Sequence, residues 1–190
     1  DHPDSRNDAC LDHVQQNLAY LESADPATII IANIDTYWTD SRYAVGAGTE
    51  TAAEDSSKLN VLKAGLGATV EQLRVAGHEV VLVQTIPRWS EVDVWRTASC
   101  SVLDVASTGC EQSMPVSRAL GRQGAVRDVV RQVAEDTGAT IFDPWAALCT
   151  NGSCSTQGPD YPRYYRDGVH VSVLEGRAFA PSLIAMLGSH

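Results

Sequence analysis

The chain has 190 residues, a length that suits one compact domain burying about 70% of the surface its unfolded form would expose. Hydrophobic residues make up 44% and charged residues 20%, ordinary globular usage that excludes disorder throughout. The balance of 14 basic against 24 acidic residues leaves a net charge of -10, with no Lys or Arg cluster to interrupt it, and this sets aside nucleic-acid binding and docking on an anionic membrane.

From the amino end, DHPDSRNDA (1–9) is expected to form a loose arm. Leu11, Val14, Leu18 and Leu21 then recur at three-and-four spacing, which predicts a helix over 10–23 ended by Asp25-Pro26. ATIIIAN (27–33) is a β-branched run of the kind that forms a strand buried on both faces of a parallel sheet. It is far too short to span a bilayer, and no charged start followed by an apolar stretch marks a signal peptide. A cytosolic chain, or one given without its targeting segment, is implied.

DTYWTDSRYAVGAGTETAAED (35–55) reads as a loop. Its Gly46 and Gly48 make no dinucleotide fingerprint, since no strand ends there and no third Gly follows. Asp55 or Ser56 caps a predicted helix that runs to about Ala76 and stops at Gly77. EVVLVQTIP (79–87) is a second buried strand, and 88–122 reads as a long loop holding Trp89, Trp95, Cys100 and Cys110. Val126, Val129, Val130 and Val133 place one apolar face on a helix over 125–136, with Gly138 as its stop. ATIFDP (139–144) is the third strand. Ser172 and Glu175 have capping-box spacing before a final helix to about Leu187, which Pro181 is expected to kink. The alternation of strand and helix predicts a parallel sheet covered on both faces, in a single domain over 1–190.

Cysteine spacing narrows the compartment. Cys149 and Cys154 flank the turn-forming TNGS, and Cys100 and Cys110 close a short loop. Neither pair has zinc-site spacing and the five His residues are scattered, so no metal is expected. Two local disulfides in an oxidising compartment are the preferred reading, with five free thiols as the alternative. Cys10 is then unpaired, which suggests a reactive thiol or a partner outside this piece.

The chemistry concentrates near the carboxyl end. Asp167 stands three residues before His170, a spacing that lets a carboxylate hold one ring nitrogen while the other faces a cleft. In open parallel sheets such clefts lie beyond the carboxyl ends of the strands. The incidental alternative is a solvated Asp beside a helix start.

Four stretches taken together carry a resemblance over nearly the whole chain: DGVHVSVLEGRAFAPSL (167–183), IIIANIDTYWTD (29–40), the Cys-containing loop after EVVLVQTIP, and LCTNGSCS (148–155). The chain resembles the SGNH-type hydrolases, most closely the extracytoplasmic SGNH domains fused to integral-membrane acyltransferases that O-acylate surface polysaccharides. The resemblance implies a three-layer α/β/α sandwich with a parallel sheet, flavodoxin-like in layout. It implies His170 as general base, Asp167 as its orienting carboxylate, and no cofactor. Asn33 stands where the family places an oxyanion donor, though without the usual Gly-x-Asn-Asp setting; capping a turn with Asp35 is its other reading. Tyr37 and Trp38 are candidates for a sugar-stacking wall, with burial under the neighbouring loop as the alternative.

The family's nucleophile, a Ser in a Gly-Asp-Ser segment after the first strand, has no counterpart here. Asp4-Ser5 imitates it only superficially, because Pro3 replaces Gly and no apolar strand precedes it. The resemblance therefore implies the downstream part of a larger domain, with the first strand, the Ser and the mate of Cys10 in an upstream segment. The implied partners are an acyl donor delivered by a membrane domain and a carbohydrate acceptor. A non-catalytic carbohydrate-binding domain and a secreted carbohydrate esterase are the competing functions.

Overall fold

The computed structural model describes residues 5–40, 43, 45–47, 50–52, 55–90, 93–94, 111–158 and 164–187. Three strands, β1 (Thr28–Ala32), β4 (Glu79–Val83) and β6 (Thr140–Phe142), form a parallel sheet in the order β1-β4-β6. Its register pairs Ile31 with Leu82 and Leu82 with Ile141. Because successive side chains alternate in direction, Ile29, Ile31, Val80, Leu82 and Ile141 share one face. They pack there against Leu62, Leu66, Val70 and Leu73 of α3 (Asp55–Val75) and Val126, Val130 and Val133 of α4 (Val116–Thr137). Each such side chain, fully buried, contributes about 1.5–3 kcal/mol. On the other face Phe142 meets Phe179 of α6 (Val173–Leu187) with ring centroids 6.0 Å apart. The layers are thus helices, sheet, helix.

The predicted valine face of α4 is buried as expected, and Gly138 ends the helix in the left-handed conformation at φ 70°. The helix starts at Val116, however, not at Ala125. Gly121 and Gly124 hid its first turns, since each costs a helix interior about 1 kcal/mol relative to Ala. A Cβ at Gly121 would meet nothing within 4 Å. The first helix, α1 (Ser5–Ser23), likewise begins earlier, so residues 5–9 are helical and not a loose arm. Its Leu18 and Leu21 pack on the core, whereas Leu11 and Val14 are exposed. His78, buried, ties α1 to the sheet. The Ala27 amide donates to Nδ1 (3.1 Å) and Nε2 donates to the Leu21 carbonyl (2.6 Å), which fixes the neutral tautomer.

Two expectations along the chain need correction. Strand β1 is not buried on both faces: Ile30 is 45% exposed, whereas on the same face of the sheet Val81 of β4 is buried and Phe142 of β6 meets Phe179 of α6. Residues 35–55 are not all loop, since α2 (Thr36–Thr39) and a hairpin of β2 (Val45–Ala47) and β3 (Glu50–Ala52) lie within them.

A second, smaller core supports the carboxyl-terminal side. Strands β5 (Ser113–Pro115), β7 (Cys149–Thr150) and β8 (Ser153–Ser155) make an antiparallel sheet in the order β5-β8-β7. Asn151 and Gly152 take φ of 51° and 79° between β7 and β8, the two-residue hairpin turn their sequence favours, and a Cys149–Cys154 disulfide spans the paired strands. Trp89, Met114, Ala119, Leu148 and Tyr165, together with Trp145 of the one-turn α5 (Trp145–Leu148), form the core beneath. Cys100 and Cys110 lie outside the described residues, and Cys10 lies in α1.

Candidate active site

The segment from Tyr164 to Ser172 is a closed loop. The Ser172 amide donates to the Tyr164 carbonyl (2.7 Å), the Arg166 amide donates to the His170 carbonyl (2.8 Å), and Tyr165 and Val171 form a bridge. Tyr165 anchors it, buried edge-on to Trp89 at 6.0 Å between centroids, and that burial pushes its phenol well above the ordinary range. The Trp89 amide donates to the Gly168 carbonyl at 2.9 Å. This last bond fastens the loop to the segment leaving β4 and so sets His170 over the sheet's carboxyl edge.

Within the loop, Asp167 organises His170 as the spacing predicts. Its Oδ1 accepts from the amides of Val169 (3.0 Å) and His170 (2.8 Å). His170 Nδ1 lies 2.8 Å from Oδ1 and 2.9 Å from Oδ2. Partial desolvation pushes the Asp167 carboxyl up, but the Val169 amide, the His170 ring and the His170 amide outweigh it and hold it below the usual aspartate range. An ionised carboxylate at Nδ1 selects the tautomer that donates there. Nε2 has no partner among the described residues, and the side chain is 67% exposed.

His170 stands at the mouth of a cleft of about 410 Å³ over the ends of β1 and β4, lined by Ala32, Asn33, Asp35, Gln84, Thr85, Ile86, Arg88 and Val169, among others. Asn33 therefore shares the cleft with His170, and its side chain has no hydrogen-bond partner among the described residues. It does not cap the turn into α2, whose N-cap Asp35 makes no side-chain cap bond either. Tyr37 is outside the cleft, exposed and edge-on to Tyr43 at 5.1 Å. Trp38 is also outside it. Partly buried against the main core, it lines a neighbouring groove with Arg88 and Arg122.

Several site residues escaped sequence reasoning. Asp35 is 3% exposed; burial raises its carboxyl above the ordinary aspartate value despite Arg88, whose Nη1 lies 3.5 Å from Asp35 Oδ2 and 3.3 Å from Thr36 Oγ1. Gln123, fully buried, donates to the Ile86 carbonyl (2.8 Å) and accepts from the Arg88 amide (3.0 Å). Arg127 and the Trp145 indole both donate to the Thr85 carbonyl, at 3.1 and 2.6 Å. Together these bonds fix the backbone that leaves β4. The one available signal was the polar pair Gln84-Thr85 ending an apolar run, since buried polar side chains demand partners.

An imidazole steered by a carboxylate, with its other nitrogen free in a cleft that an amide side chain also lines, is equipped to move a proton to and from a hydroxyl. No curated protein matches the chain. Among solved structures, a protein from Slackia heliotrinireducens described as an SGNH hydrolase is 18% identical with a TM-score of 0.53, covering 98% of this chain and 76% of its own. The periplasmic domain of a lipopolysaccharide acetyltransferase from Salmonella ser. Paratyphi A is 12% identical with a TM-score of 0.56, covering 90% of this chain and 61% of its own. The chain thus spans less than two thirds of the second structure. The family model for SGNH domains fused to AT3 domains matches residues 1–184, and with nearly the whole chain matched, this protein belongs to that family.

Proposed function

We propose that this chain is the downstream part of a larger extracytoplasmic domain that works with a membrane acyltransferase domain to move an acyl group onto a carbohydrate hydroxyl. A Ser supplied by an upstream segment of the same domain is the nucleophile, and His170, Asp167 and Asn33 serve it. The observation that carries the reading is the Asp167–His170 pair, with both carboxylate oxygens within 2.9 Å of Nδ1 and Nε2 left to the cleft.

In the first half-reaction His170 Nε2 takes the Ser proton as the oxygen bonds to the acyl carbon. Asp167 stabilises the imidazolium, and the Asn33 amide donates to the oxyanion. Collapse breaks the bond to the donor, whose leaving group departs with the proton from Nε2. In the second, the sugar hydroxyl gives its proton to Nε2 and attacks the acyl-Ser ester, and the proton returns to the Ser oxygen as the product ester departs.

The test is hydrolysis of an acetyl ester by this chain and by a chain extended upstream through its Ser-bearing segment. The extended form is expected to turn over, and both the short form and the extended His170→Ala variant to fall by roughly a million-fold. Equal activity of the short and extended chains, or full activity without His170, overturns the reading.

A further inference from the structure

Beside the cleft runs a second groove of about 350 Å³ between α2, α3 and α4, lined by Trp38, Arg88, Gly121, Arg122 and Ala125, among others. Arg88 lines both cavities, so the groove is continuous in lining with the space under His170. From these residues we propose that the groove is a binding subsite for a saccharide segment carrying a carboxylate or phosphate, which enters past Trp38 and presents its next hydroxyl to the His170 cleft. The proposal rests on the carbohydrate-acyltransfer reading above and names the class of its acceptor.

Four observations point the same way. The lining of the groove holds two guanidinium groups and no carboxylate, in a chain whose net charge is -10, so an anion meets local attraction on a surface that elsewhere repels it. Of its guanidinium, Arg88 spends only Nη1 on Asp35 and Thr36, and the other two guanidinium nitrogens have no partner among the described residues. Arg122 has no ion-pair partner among them. A planar donor fork so placed matches a carboxylate or phosphate. Trp38 adds an aromatic surface of the kind that sugars cover. Finally, Gly121 sits within α4 where no close neighbour within 4 Å demands a glycine, and its lack of a side chain keeps the groove open.

The experiment titrates this chain with trigalacturonate and with neutral galactotriose of the same linkage, by calorimetry and amide NMR shifts. The acidic sugar is expected to bind about tenfold more tightly or better at low salt, and the preference to collapse at high ionic strength. Arg122→Gln, an exposed change, is expected to remove most of the preference, and Gly121→Phe to weaken both sugars by filling the groove. Equal affinity for the two sugars, no binding of either at millimolar concentration, or a preference untouched by Arg122→Gln overturns the proposal. Binding is read here without turnover, so its failure leaves the His170 ester-hydrolysis test standing, and failure of that test leaves the binding preference to be judged by itself.

Discussion

At Asp167 a single carboxylate accepts two backbone amides and faces one imidazole nitrogen, so the turn that shapes the loop also orients the base. Asp167→Asn keeps the size but removes the charge that selects the tautomer. In the complete domain it is expected to lower kcat on an acetyl ester by about 10⁴-fold with a small change in KM, and a purely structural role would instead show as a loss of Tm alone. Its folded value is depressed, so the stability it contributes is present above the unfolded value near pH 4 and is lost as pH falls through the lower folded one. Glu175 has the opposite sign. Ser172 Oγ accepts from its amide at 3.2 Å, but the Ser172 amide goes to Tyr164, so the capping box is only half made and the carboxylate is left buried. Burial raises the Glu175 carboxyl above its ordinary value. Between the unfolded and folded values the folded state holds a proton the unfolded state lacks, so stability falls as pH rises through that window. Glu175→Gln is therefore expected to raise Tm at pH 7 by about 2–4 °C for each kcal/mol recovered and to give no gain near pH 4, as differential scanning calorimetry at the two pH values checks. The sequence displayed Asp167 and His170 because their partnership is local; Asp35, Arg88 and Gln123 stayed hidden because theirs crosses from one strand end to another.

The elements whose burial repeats along one face were readable: the valines of α4, the apolar run of β4 and the hairpin around Asn151-Gly152. Boundaries failed where a residue disfavoured in a helix sits inside one. Gly121 is such a residue, and because nothing crowds its Cα side, Gly121→Ala is expected to raise stability by about 1 kcal/mol, measured as a shifted urea midpoint at constant m. The β7–β8 hairpin supplies a contrasting element. Its disulfide closes a sequence separation of 5, for which chain entropy gives about 2 kcal/mol. The Cys149→Ala, Cys154→Ala double variant is expected to lose about that much in the same assay. Since Cys154 is fully buried in the smaller core with Trp89 and Tyr165, the loss should also loosen the loop that holds His170.

Across the whole molecule the sheet is asymmetric. Both β1 and β6 have a strand neighbour on one side only among the described residues, but Phe142 of β6 meets Phe179 of α6, whereas Ile30 of β1 is exposed. An apolar TIIIA strand with an open edge is a template for another strand. Asn33, in the cleft, directly follows that strand, so a strand added parallel to β1 would bring its own carboxyl end to the same rim as Asn33 and His170. The upstream segment proposed to hold the nucleophile fits this position by both edge and polarity. Joining it to the chain is expected to slow hydrogen exchange at those amides of Thr28–Ala32 that β4 leaves free, and to leave α3 and α4 unchanged. Unaltered exchange along β1 in an extended chain that hydrolyses the ester would mean that the serine reaches His170 by another route, and the sheet-edge placement would fall while the roles of His170 and Asp167 stood.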